Sequence, residues 1–361
     1  MEKMSWTLDL PCKNPKVKRK EEAADFDRKD FIERQERFGT MFFSKKGSMF
    51  SECYFEPNEA YKGRRVCDVP VNVNIELTGK CNLTCKHCYA APFSTHSELH
   101  LTQLDALFME SQLLHVVGVT FLGGEPFLYS QVENVCDRAK KRNLKVQLCT
   151  NGYEIPEEKL LAVAKNTDCL WVSVDGDRET HDFLREKEGS YDSALDTLSK
   201  LQSNDFYSGV IMTVNRFNRG QIRHVYEEAK KRGADEFLLK RMTVADPRHP
   251  MYDSRISKDD PLFTSADGEN SDFTSWYIGR GGCFSIFGCP GGTFDLTISE
   301  DGSAYRCVRH QKTDASLGSL KRDRLSDIWR RNLETLEPCK EGCEYAKFCG
   351  GPCRLTEYSK S

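Results

Sequence analysis

Short apolar runs rich in β-branched residues alternate with segments of helical periodicity through the middle of the chain. The apolar runs predict strands at 71–77, 116–122, 146–149, 170–174, 210–214 and 237–239. The segments between them predict helices at 101–114, 132–141, 157–165, 193–201 and 222–232. This alternation indicates right-handed βαβ units around a parallel sheet. Six strands are too few for an eight-stranded barrel, so the pattern is compatible with a partial barrel or a doubly wound sheet.

The pattern changes on both sides of this unit. A charged stretch at 25–38 predicts a helix, and two apolar runs at 41–43 and 49–55 predict a hairpin. Near the C-terminus the main predicted helix is 325–336. The predicted regions are an N-terminal arm at 1–68, the alternating unit at 69–245, a polar linker at 246–278 and a cysteine-rich domain at 279–361.

Composition and charge narrow the possible functions. The 52 Lys and Arg residues nearly balance 55 Asp and Glu residues, so no general field attracts nucleic acid or an anionic membrane. The chain has neither an apolar run of membrane-spanning length nor a signal-peptide pattern at its start. We therefore expect a cytoplasmic protein with no nucleic-acid or membrane partner. Its 16 cysteines are too sparse for a disulfide scaffold and favour metal or redox chemistry.

Three cysteines, Cys81, Cys85 and Cys88, follow the first predicted strand within eight residues. A structural zinc site uses four protein ligands, whereas an iron–sulfur cluster held by three thiolates keeps one iron open for a small chelating molecule. The spacing alone is compatible with either site.

Glycine-containing motifs follow the next three strands. They are Gly123-Gly124-Glu125-Pro126, Thr150-Asn151-Gly152 and Ser173-Val174-Asp175-Gly176. Each motif alone is typical of a glycine turn with a capping side chain. Because the C-terminal ends of parallel strands meet at one edge, four successive motifs there indicate a shared site.

The order CxxxCxxC, GGEP, TNG and SVDG resembles the radical S-adenosylmethionine (radical SAM) enzymes. The resemblance implies an α/β fold with a partial (βα)6 TIM-like barrel, in which Cys81, Cys85 and Cys88 hold a [4Fe–4S] cluster with an open iron for S-adenosylmethionine. It also implies a 5′-deoxyadenosyl radical that abstracts a substrate hydrogen, and a reductant such as flavodoxin or ferredoxin. The residues that it assigns to S-adenosylmethionine are Gly123, Gly124, Glu125, Asn151, Ser173, Asp175 and Arg185.

Three side chains near these motifs have alternative interpretations. Arg185 suits a carboxylate, or instead a surface ion pair with Asp182 or Glu186. His87 stands where the family usually has an aromatic residue and would shield the cluster. Cys149 is interpreted as an apolar core residue, with hydrogen-atom donation as the alternative. No catalytic acid, base or hydrogen donor is assigned.

Seven C-terminal cysteines resemble the SPASM extension of radical SAM enzymes that modify peptides. The resemblance implies an inner auxiliary [4Fe–4S] cluster on Cys283, Cys289, Cys307 and Cys353, and an outer one on Cys339, Cys343 and Cys349. No cysteine follows Cys353, and three residues rather than two separate Cys339 from Cys343. An open iron, a ligand from Cys53 or Cys67, a zinc site or a single auxiliary cluster is therefore compatible with the chain.

This extension implies oxidation of a ribosomally made peptide that closes a thioether, carbon–carbon or carbon–oxygen crosslink. Val308 after Cys307 argues against sulfatase maturation, which uses an Asp there. The alternatives are radical SAM chemistry on a tetrapyrrole or a carbohydrate, and a non-catalytic iron–sulfur or zinc scaffold. The N-terminal region is predicted to contain one helix and one hairpin, which are fewer elements than a leader-binding winged helix needs. We therefore expect that recognition of a leader would require a separate leader-binding protein.

Overall fold

Two β-sheets organise the chain in the computed structural model, which describes residues 27–49, 51, 53–61, 66–90, 96–242, 249–256, 291–308 and 316–336. One sheet has three strands and the other has nine. None of the helices in these ranges is both long enough and apolar enough to cross a membrane.

The smaller sheet is antiparallel and consists of β1 (Phe31–Glu36), β2 (Gly39–Ser44) and β3 (Cys53–Pro57). The hairpin of β2 and β3 confirms the predicted one. The helix predicted over 25–38 is wrong, because β1 occupies its second half. The charged residues Arg34 and Glu36 stand two positions apart in β1, and both are buried. They form an ion pair at 2.7 Å, and Arg34 also donates to the carbonyl oxygen of Pro70 at 2.9 Å. These contacts fasten the small sheet to the rest of the molecule.

Six consecutive parallel strands extend to one edge of the larger sheet, and all six predicted strands are confirmed. They are β4 (Asn72–Glu76), β5 (Gly118–Leu122), β6 (Lys145–Thr150), β7 (Cys169–Ser173), β8 (Ser208–Val214) and β9 (Glu236–Arg241). The helices between them are α1 (Leu101–Leu113), α2 (Val132–Lys141), α3 (Glu157–Ala164), α4 (Arg178–Arg185), α5 (Ser190–Ser203) and α6 (Ile222–Lys231). Five of these helices were predicted, and α4 was not.

The two faces of this sheet differ in chemistry. Side chains such as Val73, Phe121 and Leu148 are fully buried against the helices on the outer face. The alternate positions form the inner face, where Gln147 donates to Thr120 at 3.3 Å and accepts from the Trp171 indole at 3.2 Å. A polar inner face suits a site for a polar substrate rather than a solid core.

The N-terminal end of the barrel is closed by the loop between β2 and β3. The Ser48 hydroxyl donates to the buried Glu236 carboxylate at 2.9 Å, and the Lys145 ammonium donates to the carbonyl oxygen of Ser44 at 2.5 Å. Gly47 packs against the Tyr207 ring, where a Cβ atom would lie only 2.5 Å from the ring.

The C-terminal region continues the same sheet. Its elements are β10 (Asp295–Ile298), β11 (Ser303–Tyr305), β12 (Gly318–Ser319) and α7 (Leu325–Glu334), the last of which was predicted. Strand β10 pairs in parallel with β4, with Asp295 opposite Asn72. The Glu110 carboxylate on α1 accepts from the backbone N–H of Leu325 at 2.7 Å, which caps α7. Only residues 249–256 of the predicted linker are described, so the four domain boundaries stay predictions.

Candidate active site

The cysteine loop follows β4 at the C-terminal edge of the barrel. Cys81 is exposed and Cys85 and Cys88 are half-buried. Partial desolvation, the Glu125 carboxylate and the two neighbouring thiols together raise the pKa of Cys81 to about 11. Metal coordination would offset the free-energy cost of ionising these thiols, because the thiolate is the form that binds a metal.

Two glycines allow the end of β5 to approach this loop closely. A Cβ atom on Gly123 would lie 2.5 Å from the Thr78 carbonyl oxygen, and one on Gly124 would lie 2.1 Å from that of Lys80. Gly123 also has a φ of +142°, which L side chains rarely adopt. The backbone N–H of Gly124 donates to the Thr78 oxygen at 2.7 Å. Both glycines therefore hold the cysteine loop in place, and their contact with S-adenosylmethionine stays a prediction.

Glu125 joins the ends of β5 and β6. Its buried carboxylate accepts from the Thr150 hydroxyl at 2.8 Å, the backbone N–H of Asn151 at 2.8 Å and that of Phe127 at 3.1 Å. Burial raises the pKa of this carboxyl, and the three hydrogen bonds oppose the increase. The Glu125 carboxylate thus has a structural role that the motif alone did not indicate.

Asp175 and Arg185 form a buried ion pair behind Cys85. The Asp175 carboxylate accepts from Arg185 Nε at 2.8 Å and from the backbone N–H of Thr213 at 2.8 Å, and His87 Nε2 lies 3.3 Å away. The surface ion pair of Arg185 with Asp182 or Glu186, predicted as the alternative, is wrong. Arg185 pairs with Asp175, while Asp182 accepts from the backbone of α5 and Glu186 pairs with Lys86. Arg185 Nη1 donates to Cys85 Sγ at 3.8 Å.

Helix α4, which the sequence analysis missed, positions this pair. Asp177 caps the helix by accepting from the backbone N–H of Thr180 at 2.9 Å, and Asp177-x-x-Thr180 is the local signal that could have located its start. His181 on the same helix is fully buried and accepts from the backbone N–H of Asp175 at 3.1 Å. Burial lowers the pKa of His181 to about 3, so its imidazole is neutral at pH 7.

The remaining predicted residues lie around the same edge. Asn151 Nδ2 donates to Asn82 at 2.8 Å and lies 3.9 Å from Cys81 Sγ. Ser173 ends β7 and is half-buried. Cys149 packs beside Trp171 on the inner face, and burial raises the pKa of its thiol. Neither the core role nor the hydrogen-donor role of Cys149 is tested by these contacts.

Two polar groups on the inner wall were not predicted. Tyr89 directly follows Cys88 in the chain, and its hydroxyl donates to the buried Glu76 carboxylate at 2.9 Å. Asp295 lies beside the Asn72 and Asn74 amides, and burial raises the pKa of its carboxyl to about 7. Asp295 is supplied by a strand that no local pattern assigned to the barrel.

Of the seven auxiliary cysteines, only Cys307 lies within the described residues, where it is half-buried two residues after β11. Cys283, Cys289, Cys339, Cys343, Cys349 and Cys353 lie outside them. Cys53 and Cys67, the two suggested substitutes for the missing ligand, are both buried in the apolar cluster under the small sheet. The assignment of the auxiliary ligands stays a prediction.

The donors around the three core thiols fit an iron–sulfur cluster. Arg185 and Asn151 place N–H groups 3.8 and 3.9 Å from two of the sulfurs, and such contacts tune cluster sulfurs. In the described part of the chain, no three Cys, His, Asp or Glu side chains converge as they would on a single metal ion. A cluster does not need that convergence, because each thiolate binds a different iron.

Comparison with known families and proteins identifies two domains. The radical SAM superfamily matches residues 75–229, and the SPASM iron–sulfur cluster-binding domain matches residues 289–353. The sporulation killing factor maturation protein SkfB of Bacillus subtilis is 29% identical over 270 residues, which are 72% of this chain and 65% of that protein, just under two thirds of its length. Mycofactocin maturase MftC of Mycolicibacterium smegmatis is 27% identical over 81% of this chain and 80% of its own length.

Two further similarities bear on fold and chemistry. The AdoMet-dependent heme synthase of Methanosarcina barkeri is 28% identical over 79% of this chain and 91% of its own length. The crystal structure of Streptococcus suis SuiB bound to S-adenosylmethionine superimposes with a TM-score of 0.70 at 14% identity, over 90% of this chain and 95% of SuiB. The predicted fold class is thereby confirmed. The two family models confirm a [4Fe–4S] cluster, S-adenosylmethionine and auxiliary iron–sulfur clusters as the cofactors. The chain contains a radical SAM domain followed by a C-terminal SPASM iron–sulfur cluster-binding domain.

Proposed function

We propose that this enzyme matures a ribosomally made peptide by closing an oxidative crosslink. The observation that supports this most directly is the alignment with the maturation proteins SkfB and MftC over 72% and 81% of the chain. SuiB, whose fold matches 90% of this chain, has also been solved bound to its precursor peptide SuiA. The cluster and S-adenosylmethionine supply the hydrogen-abstracting 5′-deoxyadenosyl radical in such enzymes.

The chain's own residues position and enclose that chemistry. Asp175 holds the Arg185 guanidinium beside Cys85, and Glu125 fixes the two neighbouring strand ends. On the inner face, Thr120 offers a hydroxyl and Gln147 an amide, which are groups of the kind that bind a peptide backbone. Closing a crosslink releases a proton and an electron. An auxiliary iron–sulfur cluster would accept the electron, and Asp295 is a carboxyl on this wall suited to accept the proton near neutral pH.

Two partners belong to the same proposal. An external reductant, flavodoxin or ferredoxin, would supply the electron for each turnover. A separate protein would bind the leader of the peptide; the described N-terminal residues form a three-stranded sheet.

The test is anaerobic turnover with candidate peptides. The enzyme is reconstituted with iron and sulfide and given dithionite, S-adenosylmethionine and synthetic peptides encoded by short reading frames beside its gene. We expect 5′-deoxyadenosine and a peptide that has lost two hydrogen atoms per crosslink. Cys85→Ala should abolish both products, whereas Cys136→Ala, at a buried cysteine on α2, should retain both. Absence of 5′-deoxyadenosine from the cluster-loaded enzyme would contradict the proposal.

A tetrapyrrole substrate is the second candidate, and the similarity to the heme synthase supports it. The same assay separates the two. If the peptides are unchanged while a side chain of a tetrapyrrole is modified, the substrate class is the tetrapyrrole and the peptide proposal is wrong.

A further inference from the structure

The buried ion pair between Asp175 and Arg185 lies against one of the core cysteines. Arg185 donates to the Asp175 carboxylate through Nε at 2.8 Å and through Nη2 at 2.6 Å. Its third nitrogen, Nη1, donates to Cys85 Sγ at 3.8 Å. The planar fork of the guanidinium allows these contacts at the same time. Arg185 therefore connects a carboxylate on one side to a predicted cluster ligand on the other.

Both charges of this pair are shielded from water. The Asp175 side chain is fully buried, and only 10% of the Arg185 side chain is exposed. The Asp175 carboxylate also accepts from the backbone N–H of Thr213 at 2.8 Å, and His87 Nε2 lies 3.3 Å from it. Charges act on one another more strongly where water is excluded, so each member of this pair strongly affects its neighbours.

The other charged side chains around the cysteine loop are arranged differently. Two solvent-accessible ion pairs flank the loop, Lys86 with Glu186 at 2.7 Å and Lys80 with Glu98 at 3.0 Å. The buried Glu125 carboxylate accepts from three uncharged donors. In the described part of the chain, Arg185 is thus the buried cation that contacts a sulfur of the loop.

Reduction adds one negative charge to an iron–sulfur cluster. A nearby cation without a counterion stabilises the reduced form and raises the potential, because net charge and hydrogen bonds to the sulfurs set that potential. A carboxylate paired with the cation cancels most of its charge and leaves the N–H contact with the sulfur in place. Cleavage of S-adenosylmethionine needs a strongly reducing cluster, so a compensated arginine favours the reaction.

We propose that Asp175 sets the reduction potential of the core cluster through Arg185, by cancelling the arginine charge beside Cys85. Asp175 is a positioning residue in this assignment, since it contacts Arg185 rather than a cluster ligand. The electron comes from an external reductant, and no bond of the ion pair is made or broken. The inference rests on the [4Fe–4S] cluster of the radical SAM domain and does not depend on the proposed peptide substrate.

The test is an anaerobic redox titration of the reconstituted full chain, followed by electron paramagnetic resonance. Neither S-adenosylmethionine nor a peptide is added. The signal of the core cluster is identified as the one that is missing from the triple variant Cys81→Ala, Cys85→Ala and Cys88→Ala. Iron and sulfide are counted in every sample, so that only cluster-loaded protein is compared.

Three variants change the buried pair, and one changes an exposed pair beside the same loop. Asp175→Asn leaves the cation without its counterion, Arg185→Gln leaves the carboxylate without its cation, and the double substitution removes both charges. The matched control is Glu186→Gln, which breaks the pair with Lys86, whose side chains are 31% and 39% exposed.

The two single substitutions should shift the potential in opposite directions. At the wild-type midpoint, Asp175→Asn should raise the ratio of reduced to oxidised core cluster at least about tenfold, which is about 59 mV for one electron. Arg185→Gln should lower that ratio, and the double variant should stay within about threefold of wild type. Glu186→Gln should stay within about twofold, because water screens an exposed pair.

A purely structural role for the pair would give a different result. Entry of water after either single substitution would shift both midpoints in the same direction, and this would overturn the proposal, as would an unchanged midpoint in Asp175→Asn. If Asp175→Asn holds no cluster, the other two variants decide. A midpoint lowered in Arg185→Gln and restored in the double variant supports the proposal, and equal midpoints refute it. Because no peptide is present, failure of peptide maturation leaves this result intact.

Discussion

The buried ion pair between Asp175 and Arg185 predicts a large, specific cost for one small substitution. Asp175 is fully buried, and the Arg185 guanidinium, itself buried, donates to it through Nε at 2.8 Å and Nη2 at 2.6 Å. Asp175→Asn keeps the shape but leaves the arginine charge uncompensated, which costs about 3–5 kcal/mol for a buried pair. We therefore expect the free energy of unfolding to fall by that amount, measured by urea denaturation of the cluster-free protein at pH 7.

A neighbouring surface pair provides the control. Arg178 and Asp192 also form an ion pair, but more than half of each side chain is exposed. Asp192→Asn should cost less than about 1 kcal/mol, because water screens an exposed pair. Equal losses in the two variants would refute the assignment of Asp175 as the buried anchor of the site.

The pH dependence gives an independent check of the same pair. Neighbouring Arg185 and His87 hold the pKa of Asp175 well below its unfolded value of 3.8, despite burial. The ionised carboxylate therefore stabilises the fold fully above about pH 4 and progressively less below it. The gap between wild type and Asp175→Asn should shrink by up to about 1.4 kcal/mol per pH unit below 3.8. A gap that stays constant down to pH 2.5 would contradict the ion-pair explanation.

Two further substitutions test the loop and the inner wall. Gly124→Ala should lower the iron and sulfide bound per chain after reconstitution, because the added Cβ atom would meet the Lys80 carbonyl oxygen. The control is Gly220→Ala, whose Cβ atom would have nothing within 4 Å and should leave the iron and sulfide content unchanged. Burial raises the pKa of the Asp295 carboxyl to about 7. Between about pH 4 and 7 the folded protein therefore keeps a proton on Asp295 that the unfolded chain has lost. The free energy of unfolding of the wild type falls as the pH rises through that range. Asp295→Asn should remove this fall, so its unfolding free energy relative to wild type should rise by up to about 4 kcal/mol from pH 4 to pH 8; no change with pH would refute the raised pKa.

The strands of the barrel could be predicted because each has one face against the helices. Val73 and Ile75 in β4, like Val119 and Phe121 in β5, are fully buried, so short β-branched runs stand out from the polar segments between them. The motif residues at the strand ends were located for the same reason. Parallel strands bring those ends together whatever the loops contain, and the topology follows from the alternation of elements.

Elements whose burial depends on distant partners could not be predicted locally. Arg34 and Glu36 give β1 a charged sequence that suggests a helix. Distant partners explain their burial, because Arg34 donates to the carbonyl oxygens of Val69, Pro70 and His115 and Glu36 accepts from the backbone N–H of Asp68. Helix α4 was missed for a related reason: His181 and Arg185 are polar, so its buried face lacks the apolar repeat that marks a helix. In both cases the inward-facing side chains are polar and satisfied by contacts remote in sequence.

On the proposed function, we expect substrate specificity to lie on the inner face of the barrel rather than at the family motifs. A hydrogen-bonded row runs from Trp171 through Gln147 and Thr120 to Asn72. Asp295, opposite Asn72 on β10, extends that row into the C-terminal strands. On the proposed function, the strand-end motifs would aim the radical, and the side chains that a substrate would meet come from the alternate positions of strands on both sides of β4. Because β10 extends that wall, we expect that exchanging the C-terminal strands between relatives changes which substrate is accepted.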